Sequence, residues 1–180
     1  MNNIIDYAHT LAKKHIQKDS VVVDATCGNG HDTVFLANLT DTLYAFDIQQ
    51  DAIKNTLNRL NQNAIGHVTL IHDSHINISQ HVSQKIDFVM FNLGYLPGGD
   101  KSITTKSDST VQAIKNLFPK LNSKGLIVLV VYVGHTAGEI ESHALIHDLK
   151  RLSKLEYFVT MHRLINHETA PYVISIKKRF

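Results

Sequence analysis

The sequence predicts an α/β fold with a mostly parallel seven-stranded sheet, helices on both faces and an antiparallel hairpin at the C-terminal edge. Two observations predict it. Short apolar runs alternate with stretches in which apolar residues recur every three or four positions. That alternation is typical of parallel sheets covered by helices. The last two apolar runs have no helical pattern between them, so we expect them to pair antiparallel at an edge.

The first half of the chain repeats a strand–helix unit after one amphipathic helix. Residues 2–17 carry apolar side chains at positions 4, 5, 8, 11, 12 and 16, a spacing that predicts a helix. A β-branched run at 21–23 then predicts the first strand, and glycines follow it. Further strands are predicted at 43–46 and 67–71, with helices at 31–39, 51–60 and 76–82.

The second half continues the pattern and then changes it. A strand is predicted at 86–91 and a helix at 111–121, after which Gly125 marks a turn into the apolar run 126–133. A last helix at 140–152 precedes two strands at 155–161 and 172–177. No repeat, low-complexity tract or linker interrupts the chain, so we expect one Rossmann-like domain over residues 1–180.

The composition is that of an ordinary globular protein. Hydrophobic residues make up 43% of the 180 residues and charged residues 19%, with a net charge of +2 and a single cysteine. One cysteine excludes an internal disulfide framework. The N-terminus lacks a secretion-signal pattern and no apolar run approaches a bilayer span, so we expect a cytoplasmic protein without a membrane partner. The charge permits nucleic-acid binding without requiring it.

The loop after the first strand, Asp24–Gly30, predicts the cofactor. Gly28 and Gly30 let the backbone turn sharply beside a ligand. The third glycine of a dinucleotide fingerprint is absent, and Asp24 with Asp32 would repel a pyrophosphate. S-adenosylmethionine has no phosphate, and its ammonium and sulfonium groups are favoured by nearby carboxylates. We therefore expect this loop to bind S-adenosylmethionine.

Polar residues at the next two strand ends support the same cofactor. Asp47 follows the second strand at a distance from the loop that suits an acid holding ribose hydroxyls. Asp73 and Ser74 follow the third strand, where a side chain could meet the adenine edge. Helix capping could explain each of these polar residues by itself, but it does not explain why they occur at three successive strand ends.

The fourth predicted strand leads into Asn92-Leu93-Gly94-Tyr95. This tetrad resembles the Asn-Pro-Pro-Tyr motif of amino-group methyltransferases, in which the asparagine orients the target amine and the aromatic ring supports the target base. Here Leu93-Gly94 replaces the two prolines, so the loop is less rigid. We expect Asn92 and Tyr95 to be catalytic. Asn92 would orient the amine without deprotonating it.

The sequence leaves the proton acceptor open. An alkylamine must lose a proton before it attacks, and Asp32, His135, His167 or water could take that proton.

The sequence also leaves alternatives to this reaction open: methylation of another amine in rRNA, DNA or a small molecule, or cofactor binding without catalysis. We expect no metal site, because His143 and His147 have the spacing of metal ligands but lack a third one.

Four segments closely resemble the YtqB/MnmM family of small proteins, and the resemblance spans nearly the whole chain. They are the stretches 24–33, 92–101, 132–139 and 166–173, of which 92–101 is the most specific. The resemblance implies a class I S-adenosylmethionine-dependent methyltransferase fold. It also implies methylation of 5-aminomethyl-2-thiouridine at the wobble position of tRNA, with the tRNA anticodon stem-loop as partner. A homodimer sharing the RNA is a further expectation.

The resemblance also implies roles for individual residues. Several would lie near the cofactor and others near a flipped uridine. For the cofactor, the resemblance implies Asn29, Asp47, Gln49 and Ser74. Together with the loop and strand-end residues, the full set of expected cofactor residues is Asp24, Thr26, Gly28, Asn29, Gly30, Asp32, Asp47, Gln49, Asp73 and Ser74. The expected substrate residues, besides Asn92 and Tyr95, are Asp100, Lys101, Tyr132, His135 and His167.

Overall fold

Helices and strands alternate in the order that the apolar periodicity predicts. The structure is a computed structural model that describes residues 4–94, 107–133 and 136–180. The described helices are α1 (Ile4–His15), α2 (His31–Ala37), α3 (Gln50–Gln62), α4 (Ile78–His81), α5 (Ser107–Leu117) and α6 (Thr136–Leu149), with a 3-10 turn at His75–Asn77. The described strands are β1 (Val21–Asp24), β2 (Thr42–Asp47), β3 (Val68–His72), β4 (Ile86–Asn92), β5 (Leu121–Val131), β6 (Tyr157–His162) and β7 (Tyr172–Lys178).

The strands of the described segments form one sheet in the order β3-β2-β1-β4-β5-β7-β6. The first five are parallel, while β7 pairs antiparallel with both β5 and β6, as the sequence predicts. The chain builds outward from β1 to β3 and then returns to place β4 on the other side of β1. Ligands of open parallel sheets bind at such a reversal, outside the carboxyl ends of the strands. Those ends are Asp24 of β1 and Asn92 of β4.

The central strands β1, β4 and β5 are mostly buried on both faces of the sheet, to which successive strand residues point in alternation. Val22 and Phe88 pack beneath α1 and α2, and their neighbours Val23 and Val89 pack beneath the helices of the other face. Helix α1 contributes Ile4, Ala8 and Ala12, all buried. At its far end the ring of His15 donates to the backbone carbonyl of Asp87 (3.1 Å). Helix α1 is therefore fixed at the N-terminal edge as well as along the sheet face.

The predicted turn at Gly125 was placed wrongly, and so were the bounds of the helix before it. Helix α5 occupies 107–117 instead of 111–121, and β5 already begins at Leu121. Ile86 pairs with Leu121 and Phe88 with Leu126, so residues 122–125 bulge out of an otherwise continuous strand. A Cβ at Gly125 would lie 3.0 Å from the Asn122 carbonyl oxygen. This glycine therefore allows the close approach inside the bulge.

None of the described helices is long and apolar enough to cross a membrane.

Candidate cofactor and substrate site

Two hydrogen bonds join the loop after β1 to the end of β4. The Ala25 amide donates to the Met90 carbonyl (2.8 Å), which extends the pairing of the two strands by one residue. The Asn92 amide then donates to the hydroxyl oxygen of Thr26 (2.8 Å). The predicted cofactor loop and the predicted catalytic asparagine are therefore parts of one hydrogen-bonded unit.

Helix α3 supports the same loop from its other side. The Thr56 hydroxyl donates to the Gly28 carbonyl (3.0 Å), and the Arg59 guanidinium donates to the Asn29 carbonyl (2.6 Å). Gly30 has a φ of +80°, and a Cβ there would lie 2.9 Å from the Thr56 Cα. A side chain at position 30 would thus be strained and would clash with the helix backbone. The predicted need for glycine is confirmed at this position.

Asp47, at the end of β2, completes the loop. Its carboxylate accepts from the amides of Gly28 (3.0 Å) and Gln49 (2.9 Å). Burial raises the pKa of Asp47, and the amide donors oppose that shift. Each carboxylate oxygen keeps acceptor capacity for a further hydroxyl. The neighbouring Ile48 is 52% exposed, so an apolar surface lies beside this carboxylate.

Asp73 and Ser74, after β3, are engaged in local hydrogen bonds. The Asp73 carboxylate accepts hydrogen bonds from the Ser74 amide, from Asn77 (3.0 Å) and from His81 (2.7 Å). These bonds lower the pKa of Asp73, and the bond from His81 has the largest effect. Ser74 caps the 3-10 turn by accepting from the Ile76 amide (3.3 Å). Local capping therefore accounts for these contacts, and a role in cofactor binding stays a prediction for both residues.

Asp24 is 1% exposed and lies beneath the loop. Its carboxylate accepts from the Thr33 hydroxyl (2.6 Å) and the Thr26 amide (3.2 Å). Burial, and next the negative charge of Asp32, raise the pKa of Asp24 to about 7 despite these donors. The loop therefore has an excess of negative charge that a cationic ligand would relieve.

Asp32, in the first turn of α2, links three elements. One carboxylate oxygen accepts from the His9 ring of α1 (2.7 Å), and the other accepts from the Asn92 side-chain amide (3.0 Å). Tyr132, just beyond β5, forms a hydrogen bond with the same Asn92 side chain. Burial and then the charge of Asp32 raise the pKa of Tyr132, against the effect of that hydrogen bond. His9 is a residue that sequence reasoning missed.

The remaining predicted residues fall into two groups. His167 lies exposed between β6 and β7, at the end of the sheet that carries the site. Tyr95, Asp100, Lys101 and His135 lie outside the described residues. Cys27 is buried in the loop, and burial raises the pKa of its thiol well above the usual range, so packing is its role. No group of three or more potential metal ligands occurs in the described part of the chain.

The described site suits S-adenosylmethionine better than a nucleotide phosphate. Three carboxylates, of Asp24, Asp32 and Asp47, surround the loop, and the nearby Arg59 bonds to the loop backbone. A phosphate would be repelled there, whereas an ammonium and a sulfonium would be attracted. Gly28 and Gly30 have φ angles of +52° and +80°, which let the backbone turn sharply within the loop.

Solved structures confirm the class of protein. A Clostridium thermocellum structure described as a "putative rRNA-methylase" superposes with a TM-score of 0.95 at 37% identity, covering 99% of this chain and 98% of that one. A Streptococcus mutans structure described as a "putative methyltransferase" superposes with a TM-score of 0.92 at 35% identity, covering 99% of both chains. The latter was solved with S-adenosylhomocysteine, the product left after methyl transfer. This chain is an S-adenosylmethionine-dependent methyltransferase of class I fold.

Sequence comparison defines the family. The model of the family described as "Putative rRNA methylase" matches residues 43–178. An Arabidopsis thaliana chloroplast protein named tRNA (mnm5s2U34)-methyltransferase is 36% identical over 189 aligned residues, covering 97% of this chain and 69% of that protein. The chain belongs to this methylase family. His9 and the loop from Asp24 to Gly30 precede the segment that the family model matches.

The raised pKa of Asp24 predicts a pH-dependent contribution to cofactor binding. Below about pH 7 this carboxyl is protonated, and above it the carboxylate attracts the cationic cofactor. We expect Asp24→Asn to weaken S-adenosylmethionine binding roughly tenfold at pH 8, which is about 1.4 kcal/mol, and much less at pH 6. Calorimetric titration of wild type and variant at both pH values measures this, and comparing them at each pH cancels the titration of the ligand itself.

Asp41→Asn is the matched control. Asp41 is exposed and bonds to Lys18 (2.8 Å), so its substitution should leave affinity unchanged at both pH values. An equal loss for Asp24→Asn at pH 6 and pH 8 would show that its charge is not the cause.

Proposed function

We propose that this chain methylates the amine of 5-aminomethyl-2-thiouridine at the wobble position of tRNA, giving 5-methylaminomethyl-2-thiouridine. The observation that carries the proposal is the position of Asn92. Its half-buried side chain lies at the end of β4, tied through its backbone to the cofactor loop and through its amide to Asp32. The Arabidopsis relative's name gives the same modified nucleoside as product.

Methyl transfer to an amine depends mainly on the correct positioning of the amine and the methyl donor. Bound S-adenosylmethionine supplies an electrophilic methyl group on a sulfonium, which is a good leaving group. The amine lone pair forms the nitrogen–carbon bond as the carbon–sulfur bond breaks, and the nitrogen gives up one proton. The Asn92 carbonyl oxygen accepts an N–H of the amine and thereby directs the lone pair toward the methyl carbon. The proton acceptor stays open among Asp32, His135, His167 and water.

The cofactor roles of the site residues are part of the proposal. The loop from Asp24 to Gly30 would hold the methionine part, and Asp47 with Gln49 would hold the ribose hydroxyls. Asp73 and Ser74 would approach the adenine. Substrate roles are proposed for the remaining predicted residues, Tyr95, Asp100, Lys101, Tyr132, His135 and His167. Residues 1–180 would act as one domain.

We propose the tRNA anticodon stem-loop as the partner, bound across the carboxyl-end edge of the sheet. In that region Tyr7 of α1 stacks on His162 at the end of β6 (ring centroids 3.8 Å apart, 14° between planes). The segment between β6 and β7 adds Arg163 and His167, both exposed. Stacking groups and cations suit the unstacked bases of an RNA loop. We also propose that the chain acts in the cytoplasm, and cell fractionation that found it elsewhere would contradict this.

A methyl-transfer assay tests the proposal. Purified protein and methyl-labelled S-adenosylmethionine are incubated with tRNA that carries the 5-aminomethyl group, with the matching unmodified transcript, and with a short anticodon stem-loop carrying the group. We expect label only in 5-methylaminomethyl-2-thiouridine, from the modified tRNA and the modified stem-loop. Mass spectrometry of the digested nucleosides identifies the product.

Each other result contradicts a stated part of the proposal. Label in the unmodified transcript, or in rRNA offered separately, would refute the wobble amine as substrate. Label in intact modified tRNA but not in the stem-loop would refute recognition through the stem-loop alone. No label in any RNA would favour a small-molecule amine or a binding module without catalysis.

Asn92→Ala should abolish most turnover and leave cofactor affinity nearly intact. Loss of one preorganised hydrogen bond to the reacting group lowers kcat by about 100-fold or more, whereas the bond between the Asn92 backbone and Thr26 is retained. Single-turnover kinetics and calorimetry measure the two quantities.

Asn122→Ala is a matched control for that substitution. Asn122 is also half-buried and donates to an aspartate, Asp87 (2.6 Å), but at the opposite edge of the sheet. It should keep wild-type kcat. A collapse of cofactor affinity in Asn92→Ala would instead assign Asn92 to the cofactor site.

We further propose a homodimer formed through the edge strand β6. Its side chains Phe158 and Met161 are 56% and 46% exposed, with Leu155 at 73% just before the strand. The outer edge of β6 pairs with no other described strand, and a second copy would cover these apolar groups. Sedimentation velocity should show a dimer for wild type and a monomer for Phe158→Ser. A monomeric wild type would refute the dimer without affecting the methylation proposal.

A further inference from the structure

We propose that His9 and Asp32 are positioning residues that fix which end of the Asn92 side chain faces the substrate amine. The inference rests on the proposed function, since it assumes an amine as the methyl acceptor. It assigns a role in the reaction to a residue of α1, an element remote in sequence from the catalytic strand end.

The two ends of the Asn92 side-chain amide have opposite hydrogen-bonding roles. Its NH₂ group can only donate hydrogen bonds and its carbonyl oxygen can only accept them. An amine that must keep its lone pair free for the methyl carbon has N–H groups to donate, so it needs the carbonyl oxygen. With the amide turned over, the NH₂ group would face the amine and compete for its lone pair. The orientation of the Asn92 amide therefore decides whether this residue promotes or opposes attack of the amine on the methyl carbon.

Asp32 dictates that orientation. Its carboxylate oxygen Oδ2 lies 3.0 Å from Asn92 Nδ2. A carboxylate accepts hydrogen bonds only, so the NH₂ end must face Asp32, and turning the amide over would set two oxygens against each other. The Tyr132 hydroxyl also forms a hydrogen bond with the Asn92 side chain. With its NH₂ end on Asp32, Asn92 has a carbonyl oxygen with two lone pairs that can accept from the amine.

His9 holds Asp32 in place. Its Nε2 lies 2.7 Å from the other Asp32 oxygen, Oδ1, and because the carboxylate accepts, Nε2 carries the hydrogen. The His9 ring is stacked on Phe35 of α2, with centroids 3.7 Å apart and an angle of 11° between planes. Asp32 itself is 8% exposed, so it has little water to replace a lost partner. Without His9 the carboxylate could rotate away from Asn92.

The structure therefore contains a chain of three side chains from α1 to the reacting group. His9 orients Asp32, Asp32 orients Asn92, and Asn92 accepts from the amine. The alternative is that His9 and Asp32 together take the proton from the amine. The two roles differ in a testable way, because a positioning donor can be replaced by another donor, whereas a proton acceptor cannot be replaced by a neutral amide.

The test compares His9→Ala with His9→Gln on tRNA that carries the 5-aminomethyl group. The Gln NH₂ group can donate to Asp32 from nearly the position of the histidine Nε2, but it cannot take up a proton at neutral pH. We expect His9→Ala to lower kcat about 10-fold or more and His9→Gln to restore at least about one third of wild-type kcat, by analogy with outer-shell groups that orient metal ligands. The Kd for S-adenosylmethionine should change less than about twofold in both.

The control is His15→Ala, the same substitution on the same helix. It removes one histidine hydrogen bond, to the Asp87 carbonyl, at the opposite edge of the sheet. Its kcat should equal that of wild type, even if its melting temperature falls as far as that of His9→Ala. Equal losses of kcat in His9→Ala and His15→Ala would show a structural effect of α1 and overturn the inference.

A double-mutant cycle with Asn92→Ala adds the decisive readout. If His9 acts through Asn92, His9→Ala should cause no further loss of single-turnover rate in the Asn92→Ala background. A further loss of about 10-fold there, or a His9→Gln rate as low as that of His9→Ala, would overturn positioning in favour of proton transfer. A wild-type enzyme that methylates no aminomethyl tRNA would instead refute the proposed function, and is seen before any variant is made.

Discussion

The hydrogen bond from the Asn92 amide to the Thr26 hydroxyl joins residues 66 apart in the chain, and the geometry of the whole site depends on it. It is possible only because the chain returns after β3 and lays β4 beside β1. In the proposed reaction Thr26 belongs to the loop that binds the methyl donor, whereas Asn92 faces the acceptor. Two adjacent strand ends of one sheet would then hold donor and acceptor at a fixed distance from each other.

Concentrated negative charge is the second constraint on this site. Burial, and next the negative charge of the nearby Asp32, raise the pKa of the Asp24 carboxyl. Without a cationic ligand these carboxylates repel each other and lose hydration. The same feature selects the ligand, since the cofactor brings the positive charge that the loop lacks. S-adenosylhomocysteine, the demethylated cofactor that is left after transfer, has no sulfonium, so the charge that favours binding of the methyl donor favours the spent cofactor less.

Much of the fold and the inner site could be predicted from the sequence, because both depend on local pattern. Apolar periodicity identifies strands and helices, and polar residues directly after strands must meet at one edge of a parallel sheet. Asp24, Asp47 and Asn92 were found in this way. The bulge at residues 122–125 was missed because Gly125 signals a break without telling a turn from a bulge.

His9 could not be found from the sequence for a different reason. Its role depends on the angle at which α1 crosses the sheet and on the rotamer that stacks its ring against Phe35. In the sequence it is one of twelve histidines, and it lies on a helix whose apolar periodicity predicts only which residues are buried. Likewise, the burial of Asp24 beneath the loop follows from packing of α2, so the sequence could predict its charge but not its raised pKa. Long-range side-chain geometry is what the structure adds.

A structure of the enzyme with S-adenosylhomocysteine and an anticodon stem-loop bearing the 5-aminomethyl group tests the central claim most directly. The claim is that Asn92 presents its carbonyl oxygen to the amine while its NH₂ group stays on Asp32. We expect the amine nitrogen about 2.9 Å from Asn92 Oδ1, with the Nδ2–Asp32 bond retained and the lone pair directed at the cofactor sulfur. An amine bound to the Asp32 carboxylate, with Asn92 displaced from it, would contradict the account.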